Sequence, residues 1–264
     1  MDLNTVTGFR RARTRADLAL RPGEQLLGGG TWLFSEPQES TGLVDLTTMG
    51  WPSLEIGDGL RIAATCTIAD LVGLAPQPGW SAQRLFTQCA NALLASFKVW
   101  NVATVGGNVC RSFAAAGMVS LCAALDGVAE IWSTAGDTYR IPVAELVVDD
   151  GMNTLGPGEV LRALELPGHA LRSRTGFRKI ALAELGRSGA VLTGRVDEDG
   201  SAVFTVTAAT RRPIVLRYNG IPSGDRLRDD VDAVDCYYTD PLGSADWRRQ
   251  VAGILVEEIR AELS

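Results

Sequence analysis

Leu26-Leu27-Gly28-Gly29-Gly30-Thr31-Trp32-Leu33 and Thr104-Val105-Gly106-Gly107-Asn108 are the two stretches on which the reading of this chain turns. Each runs from a short apolar segment into adjacent glycines, and each carries a threonine hydroxyl. Glycine reaches positive φ without a Cβ penalty and lets the backbone approach a ligand closely. Successive exposed amides in such a turn make a concave anion site that needs no lysine or arginine. Read singly, either stretch is equally a tight turn between strands. Two of similar design in one chain favour a diphosphate gripped from both sides. The familiar nucleotide motifs do not occur. The position three after Gly30 is Leu33, so there is no GxGxxG, and neither GxxxxGK[ST] nor GxSxG is found. A Rossmann dinucleotide fold and a P-loop are both disfavoured.

Around these stretches the chain alternates short strands and helices. Strands are expected at Gln25 to Leu27, Leu43 to Leu46, Leu60 to Ala64, Val128 to Trp132 and Val160 to Leu166, the last stopped by Pro167. Thr67 to Leu74 reads as a helix with Thr67 as N-cap and Asp70 three residues on. Ala82 to Ala95 places Leu85, Phe86, Cys89 and Leu93 on one helical face. Val99 to Val105 is short and rich in β-branched residues, which predicts an extended segment broken by Gly106-Gly107. Ala114 to Leu125 reads as a buried helix of small residues. Beyond residue 168, Gly189 to Val196 and Ala202 to Ala208 form a hairpin around Asp199-Gly200. Gly220 to Asp232 reads as a loop. A final helix from Ser244 to Leu263 carries an apolar stripe of Trp247, Val251, Ile254, Leu255 and Ile259.

Composition narrows the function classes. The 264 residues are 46% hydrophobic and 21% charged, with a formal net charge of −6. That is an ordinary globular chain, and its acidic balance argues against a general nucleic-acid binder. The five cysteines are widely spaced with no CxxC, which argues against a disulfide framework, a zinc site or an iron–sulfur site in this chain. His169 is the only histidine and reads as a loop residue, so a triad or a histidine-based metal site has little to build on. No apolar run reaches the ~18 residues needed to span a bilayer, and no secretory signal is seen. A cytoplasmic protein is the expectation.

The residues resemble the FAD-binding medium subunit of molybdenum hydroxylases, the family that includes the carbon monoxide dehydrogenase flavoprotein and the xanthine dehydrogenase FAD domain. Four features carry the resemblance beyond the first glycine turn. They are the Thr104 to Asn108 run, Leu164-Glu165-Leu166-Pro167, Phe177-Arg178-Lys179-Ile180, and Gly243-Ser244-Ala245-Asp246-Trp247-Arg248-Arg249 at the start of the last helix. They follow the family's order from about Thr7 to Leu263. The resemblance implies an α+β chain: a two-subdomain FAD-binding fold of the vanillyl-alcohol oxidase type over residues 1–168, split near 55–60. A small antiparallel-sheet plus helix domain follows over residues 169–264.

Carried over by position, Leu26, Leu27, Gly28, Gly29, Gly30, Thr31, Trp32 and Leu33 line FAD on one side. Thr104, Val105, Gly106, Gly107 and Asn108 hold it on the other, with their amides on the pyrophosphate. Leu161 and Lys179 lie near the cofactor. Leu94 also falls at a contact position, and Leu94 and Leu161 are equally ordinary core leucines. The chain departs from the family after Asn108. The family's Pro, Asp and Leu positions are here Ala114, Gly117 and Met118, so a carboxylate that could bond FAD hydroxyls is missing. No catalytic acid, base or metal ligand is expected. The implied role is electron transfer from a small iron–sulfur subunit through FAD to a final acceptor. Substrate would be oxidised on a large molybdenum-cofactor subunit of a heterotrimer or of its dimer. A stand-alone flavin oxidoreductase and a structural subunit that has lost its cofactor remain as alternatives.

Overall fold

The computed structural model describes residues 3–184 and 186–264. The chain first lays down three parallel strands, β1 (Gly8–Arg11), β2 (Glu24–Leu27) and β3 (Gly42–Asp45), in the order β1-β3-β2. β2 is therefore an edge strand, and its end runs straight into the first glycine stretch. The small core under this sheet combines Ala12, Leu18, Val44 and Leu46 with Val160 from the next sheet.

The next layer is an antiparallel sheet and the helices that cover it. β4 (Leu54–Ile56) and β5 (Leu60–Ala63) lead into α1 (Ile68–Val72), α2 (Arg84–Asn91), α3 (Phe97–Trp100), α4 (Val105–Arg111) and α5 (Gly117–Ala124). The chain then returns through β6 (Val128–Trp132), β7 (Thr138–Pro142), α6 (Val143–Leu146), the ribbon β8 (Val147–Asp149) and β9 (Met152–Asn153), then β10 (Val160–Leu166) and α7 (Gly168–Arg172). The strand order is β4-β5-β10-β6-β7. As its threonine signal indicates, α1 is capped by Thr67, whose hydroxyl accepts from the Asp70 amide. Every residue of α5 is buried, as its run of small apolar residues requires of a helix with no polar face.

The last third is a four-stranded antiparallel sheet, β11 (Arg174–Ala181), β12 (Ser188–Val196), β13 (Ala202–Thr207) and β14 (Ile214–Tyr218), followed by α8 (Gly224–Asp232) and α9 (Ala245–Leu263). β12 is buried at all nine positions, with α9 on one face and α5 against the other. The Ser120 and Thr207 hydroxyls bond at 2.7 Å across that second contact. Gly176 and Gly194 leave room for Ile259, which a Cβ at either position would meet within 2.7 Å.

Several local expectations are corrected. Val99 to Val105 is not extended. Its first part belongs to α3, and Val105 opens α4, because Thr104 caps a helix and Gly106-Gly107 sit inside it. Gly220 to Asp232 is largely α8, started by the Ser223 hydroxyl on the Arg226 amide. His169 lies in α7, half-exposed, with Nε2 3.5 Å from Asp126. In α9, Ile254 faces solvent, and the buried stripe is Arg248, Ala252, Val256, Ile259 and Leu263. Arg248 is wholly buried because it donates to the Ala208 carbonyl at 2.7 Å and to Asp240 at 2.5 Å, and stacks 4.1 Å from the Tyr238 ring. Among the described residues no helix is long and apolar enough to cross a membrane.

Asp126, in the turn between α5 and β6, ties the second layer to the third. It accepts from Arg195 of β12 and from Arg217 of β14 at 2.6 Å, while Arg195 also donates to the Ala124 carbonyl at 2.8 Å. Burial opposes ionisation of Asp126, but hydrogen bonds from Arg217 and Arg195 outweigh it and hold its pKa at about 2. A carboxyl depressed below its usual ~3.9 contributes stability above about pH 4 and loses it as the pH falls toward 2. Asp126→Asn is expected to cost about 1–3 kcal/mol at neutral pH, because it leaves buried Arg195 short of a partner. In thermal unfolding, the gap between variant and wild type should narrow from pH 4 downward.

Candidate cofactor site

The first glycine stretch begins where β2 runs out. The Leu46 amide still bonds the Leu27 carbonyl at 2.9 Å, closing the ladder with β3. Gly30 then takes φ +70°, and its carbonyl accepts from the Phe34 amide at 2.8 Å. The amides of Gly28, Gly29, Gly30, Thr31 and Trp32 donate to no protein acceptor among the described residues. They follow the end of an edge strand, and five donors in a row are unspent.

The second stretch behaves differently. The Thr104 hydroxyl accepts from the Gly107 amide at 3.0 Å, and the Asn108 amide bonds the Thr104 carbonyl. The Val105 amide goes to the Cys66 carbonyl at 2.8 Å, and that of Gly106 to the Ala64 carbonyl at 3.0 Å. The Asn108 side chain accepts from the Met118 amide at 2.9 Å, which fixes the start of α5. Of the five amides expected to meet a pyrophosphate here, those of residues 105–108 are committed inside the protein.

The glycines of this second stretch serve close packing. A Cβ on Gly106 would lie within 2.6 Å of Ala64, and one on Gly107 would meet the Thr104 hydroxyl at 2.7 Å. The same holds between the two stretches, which touch. A Cβ on Gly29 would sit 1.8 Å from the Val102 carbonyl oxygen, and one on Gly28 would sit 3.0 Å from the Thr104 hydroxyl.

A cleft of about 980 Å³ opens between them. That is near the upper end of the ~300–1,000 Å³ usual for ligand pockets. Leu26, Leu27, Gly28, Gly29, Gly30, Thr31, Trp32 and Leu33 all line it, as do Thr104, Gly107, Asn108 and Leu94. Four other expected residues are not in its wall. Val105 and Gly106 are buried under the first turn of α4, and Leu161 lies in the core on β10. Lys179 donates to the Asn91 and Glu184 carbonyls at 3.1 and 3.3 Å, and burial lowers its pKa against the pull of Glu184.

The wall also holds groups that the sequence reading did not single out: Glu36, Cys110, Arg111, Phe113, Asp150 and Arg187. Arg111 had a usable signal, since Thr104, Asn108 and Arg111 follow the i, i+4, i+7 spacing of one helical face. Asp150 and Arg187 arrive from distant segments and had none. Burial pushes the Cys110 thiol up to about 12, so it is protonated and inert at neutral pH.

The family profile described as the FAD binding domain in molybdopterin dehydrogenase matches residues 13–169. The chain belongs to this family. No curated protein matches it in sequence. Among solved structures, the reconstituted CO dehydrogenase from Oligotropha carboxidovorans is similar at 19% identity and TM-score 0.83, with 96% of this chain and 95% of that chain covered. Quinoline 2-oxidoreductase from Pseudomonas putida 86 gives 18% identity and TM-score 0.80, covering 97% of this chain and 95% of that one. The carbon monoxide dehydrogenase from Hydrogenophaga pseudoflava gives 17% and 0.82, covering 96% of each. At these identities the likeness carries the fold, which extends beyond the matched family segment through the C-terminal sheet.

FAD is the cofactor of this family, and the site fits it. A dinucleotide needs a long cleft and an anion cradle without bulk, and residues 28–32 supply unspent amides, three of them on glycines. Gly117 does not weaken that fit. It lies outside the cleft wall, and a Cβ there would be 2.2 Å from the Cys89 carbonyl and 3.0 Å from Leu93, so α5 packs too closely on α2 to admit an aspartate. A carboxylate reaches the cleft from another direction: Asp150, held by the Ala114 amide at 2.8 Å. Gly29→Ala should force the two stretches apart, lowering stability by about 1–3 kcal/mol as other overpacked sites do. FAD affinity should fall at least tenfold by fluorescence titration. Gly220→Ala, whose nearest neighbour is 3.9 Å away, should stay within about 0.5 kcal/mol and bind FAD normally.

Proposed function

We propose that this chain is the electron-transfer flavin subunit of a cytoplasmic molybdenum hydroxylase. It would work with a small iron–sulfur subunit and a large molybdenum-cofactor subunit, and pass electrons to a final acceptor. The observation that carries the proposal is the convergence of the two glycine stretches on one cleft with five unspent amides. On this reading residues 1–168 form the FAD-binding unit and residues 169–264 close the cleft's far side, where Arg187 enters its wall.

FAD, when bound, supplies the redox chemistry, taking electrons singly and releasing them in pairs. The chain's own groups bind and orient. Residues 28–32 offer the diphosphate N–H donors, while Thr104 and Asn108 are spent on holding the opposite wall in place. Among the described residues the cleft wall holds no histidine. Its thiol is protonated, and His169 sits outside the wall beside Asp126. General acid–base catalysis needs a positioned group with a pKa near the working pH. Such a group belongs, on this proposal, to the partner that oxidises substrate.

Two outcomes test the reading. Denaturing the purified yellow protein should release free FAD into the supernatant, since the wall offers neither a histidine nor a reactive thiol for covalent attachment. Under anaerobic conditions, candidate organic substrates should leave the flavin of the isolated chain oxidised and bleach it once both partner subunits are added. Rapid bleaching of the chain alone would instead make it a self-sufficient oxidoreductase.

A further inference from the structure

Two guanidinium groups line the cleft, those of Arg111 and Arg187. The placement of Arg111 is set by its helix and by two aromatic rings. It ends α4, and its Cζ lies 5.3 Å from the ring centre of Trp32 and 4.4 Å from that of Phe113. Those two rings meet edge to face at 4.6 Å. Trp32 is also the residue that closes the run of unspent amides.

Stacking fixes the plane of a guanidinium but leaves its N–H edge available. Among the described residues that edge makes no hydrogen bond. Its one acidic neighbour, Glu36, stands 3.7 Å away, and both side chains are partly open to solvent. Glu36 accepts its hydrogen bond from the Trp32 indole at 3.0 Å instead. A cation held by two aromatic rings, beside a row of free amides and loosely matched to a carboxylate, has the chemistry of an anion clamp with a weak resident partner.

We propose that Arg111 is the counter-cation for the cofactor's diphosphate, and that Glu36 is the resident partner the diphosphate displaces. The proposal rests on the FAD reading of the cleft and deepens it. The free amides supply direction but no net charge, and Arg111 supplies the charge. The Glu36 carboxylate remains nearby and opposes the incoming anion, so the pair sets the affinity from both sides. Because Coulomb attraction at a partly exposed site is screened by salt, the Arg111 contribution should shrink as ionic strength rises.

The test measures binding of FAD and of ADP to the full chain by calorimetry, at low and high salt. ADP carries the diphosphate without the flavin. Arg111→Leu should weaken both ligands by a similar factor, about ten- to hundredfold at low salt, the range for a lost hydrogen bond to a charged group. It should also flatten the salt dependence. Glu36→Gln keeps an acceptor for the Trp32 indole and should tighten both ligands by about two- to tenfold. Arg226→Leu removes the same charge from α8, far along the chain from the cradle, and should change neither. Wild-type affinity for both ligands in Arg111→Leu would overturn the proposal. So would a loss confined to FAD, which would place Arg111 at the flavin. An Arg111→Leu chain that fails to fold would leave Glu36→Gln to decide, since unchanged or weaker binding there also overturns it. A folded wild-type chain that binds neither ligand would defeat the FAD reading itself, and the proposal with it.

Discussion

The closeness of the Gly29 backbone to the Val102 carbonyl is the constraint on which the cofactor site depends. Any side chain at residue 29 would begin 1.8 Å from that oxygen. The contact joins the end of an edge strand in the parallel sheet to the loop before α4 in the helical layer. It sets the separation of the two cleft walls to the thickness of bare backbone. It also explains the unspent amides: β2 has no strand beyond it, and the segment that covers its end comes in as a loop, with no ladder to pair against.

The two glycine stretches therefore divide their work. The first keeps its amide donors free and faces the cleft. The second spends the amides of residues 105–108 on the protein and uses glycine for approach, with Gly106 against Ala64 and Gly107 under the Thr104 hydroxyl. Asn108 extends the brace to α5 through the Met118 amide, and α5 in turn packs on the C-terminal sheet. The second wall is thus anchored through three elements, which keeps an otherwise short helix of seven residues in place. Such preorganisation lowers the ordering cost when a large flexible cofactor binds.

The chemistry of the cleft suits a bound dinucleotide. Its charged groups, Glu36, Arg111, Asp150 and Arg187, are of both signs and sit among apolar and aromatic surface. They are suited to orienting a ligand with a charged middle and ring systems at its ends. Asp150 is held by a backbone amide and Arg111 by two rings, so each is positioned by the fold before a ligand arrives.

The sequence by itself determined what local physics determines. Thr67 could be named as a helix cap because a hydroxyl before an apolar run has few other uses, and it caps α1 as read. The hairpin around Gly200 and the all-buried α5 followed from turn chemistry and small-residue composition. The glycine stretches were visible as places where side chains are excluded, but not what excludes them. β-branched residues make Val99 to Val105 read as extended, which misses the helix that Thr104 starts and hides Arg111. Only the tertiary structure decided which amides stay free, because that depends on the Cys66 and Ala64 carbonyls reaching Val105 and Gly106 across the chain. It also decided that Lys179 turns to the end of α2, that Leu161 is core, and that Gly117 has no room for an aspartate. Each of these is a long-range approach of two segments, and no periodicity or cap in either segment encodes the distance between them.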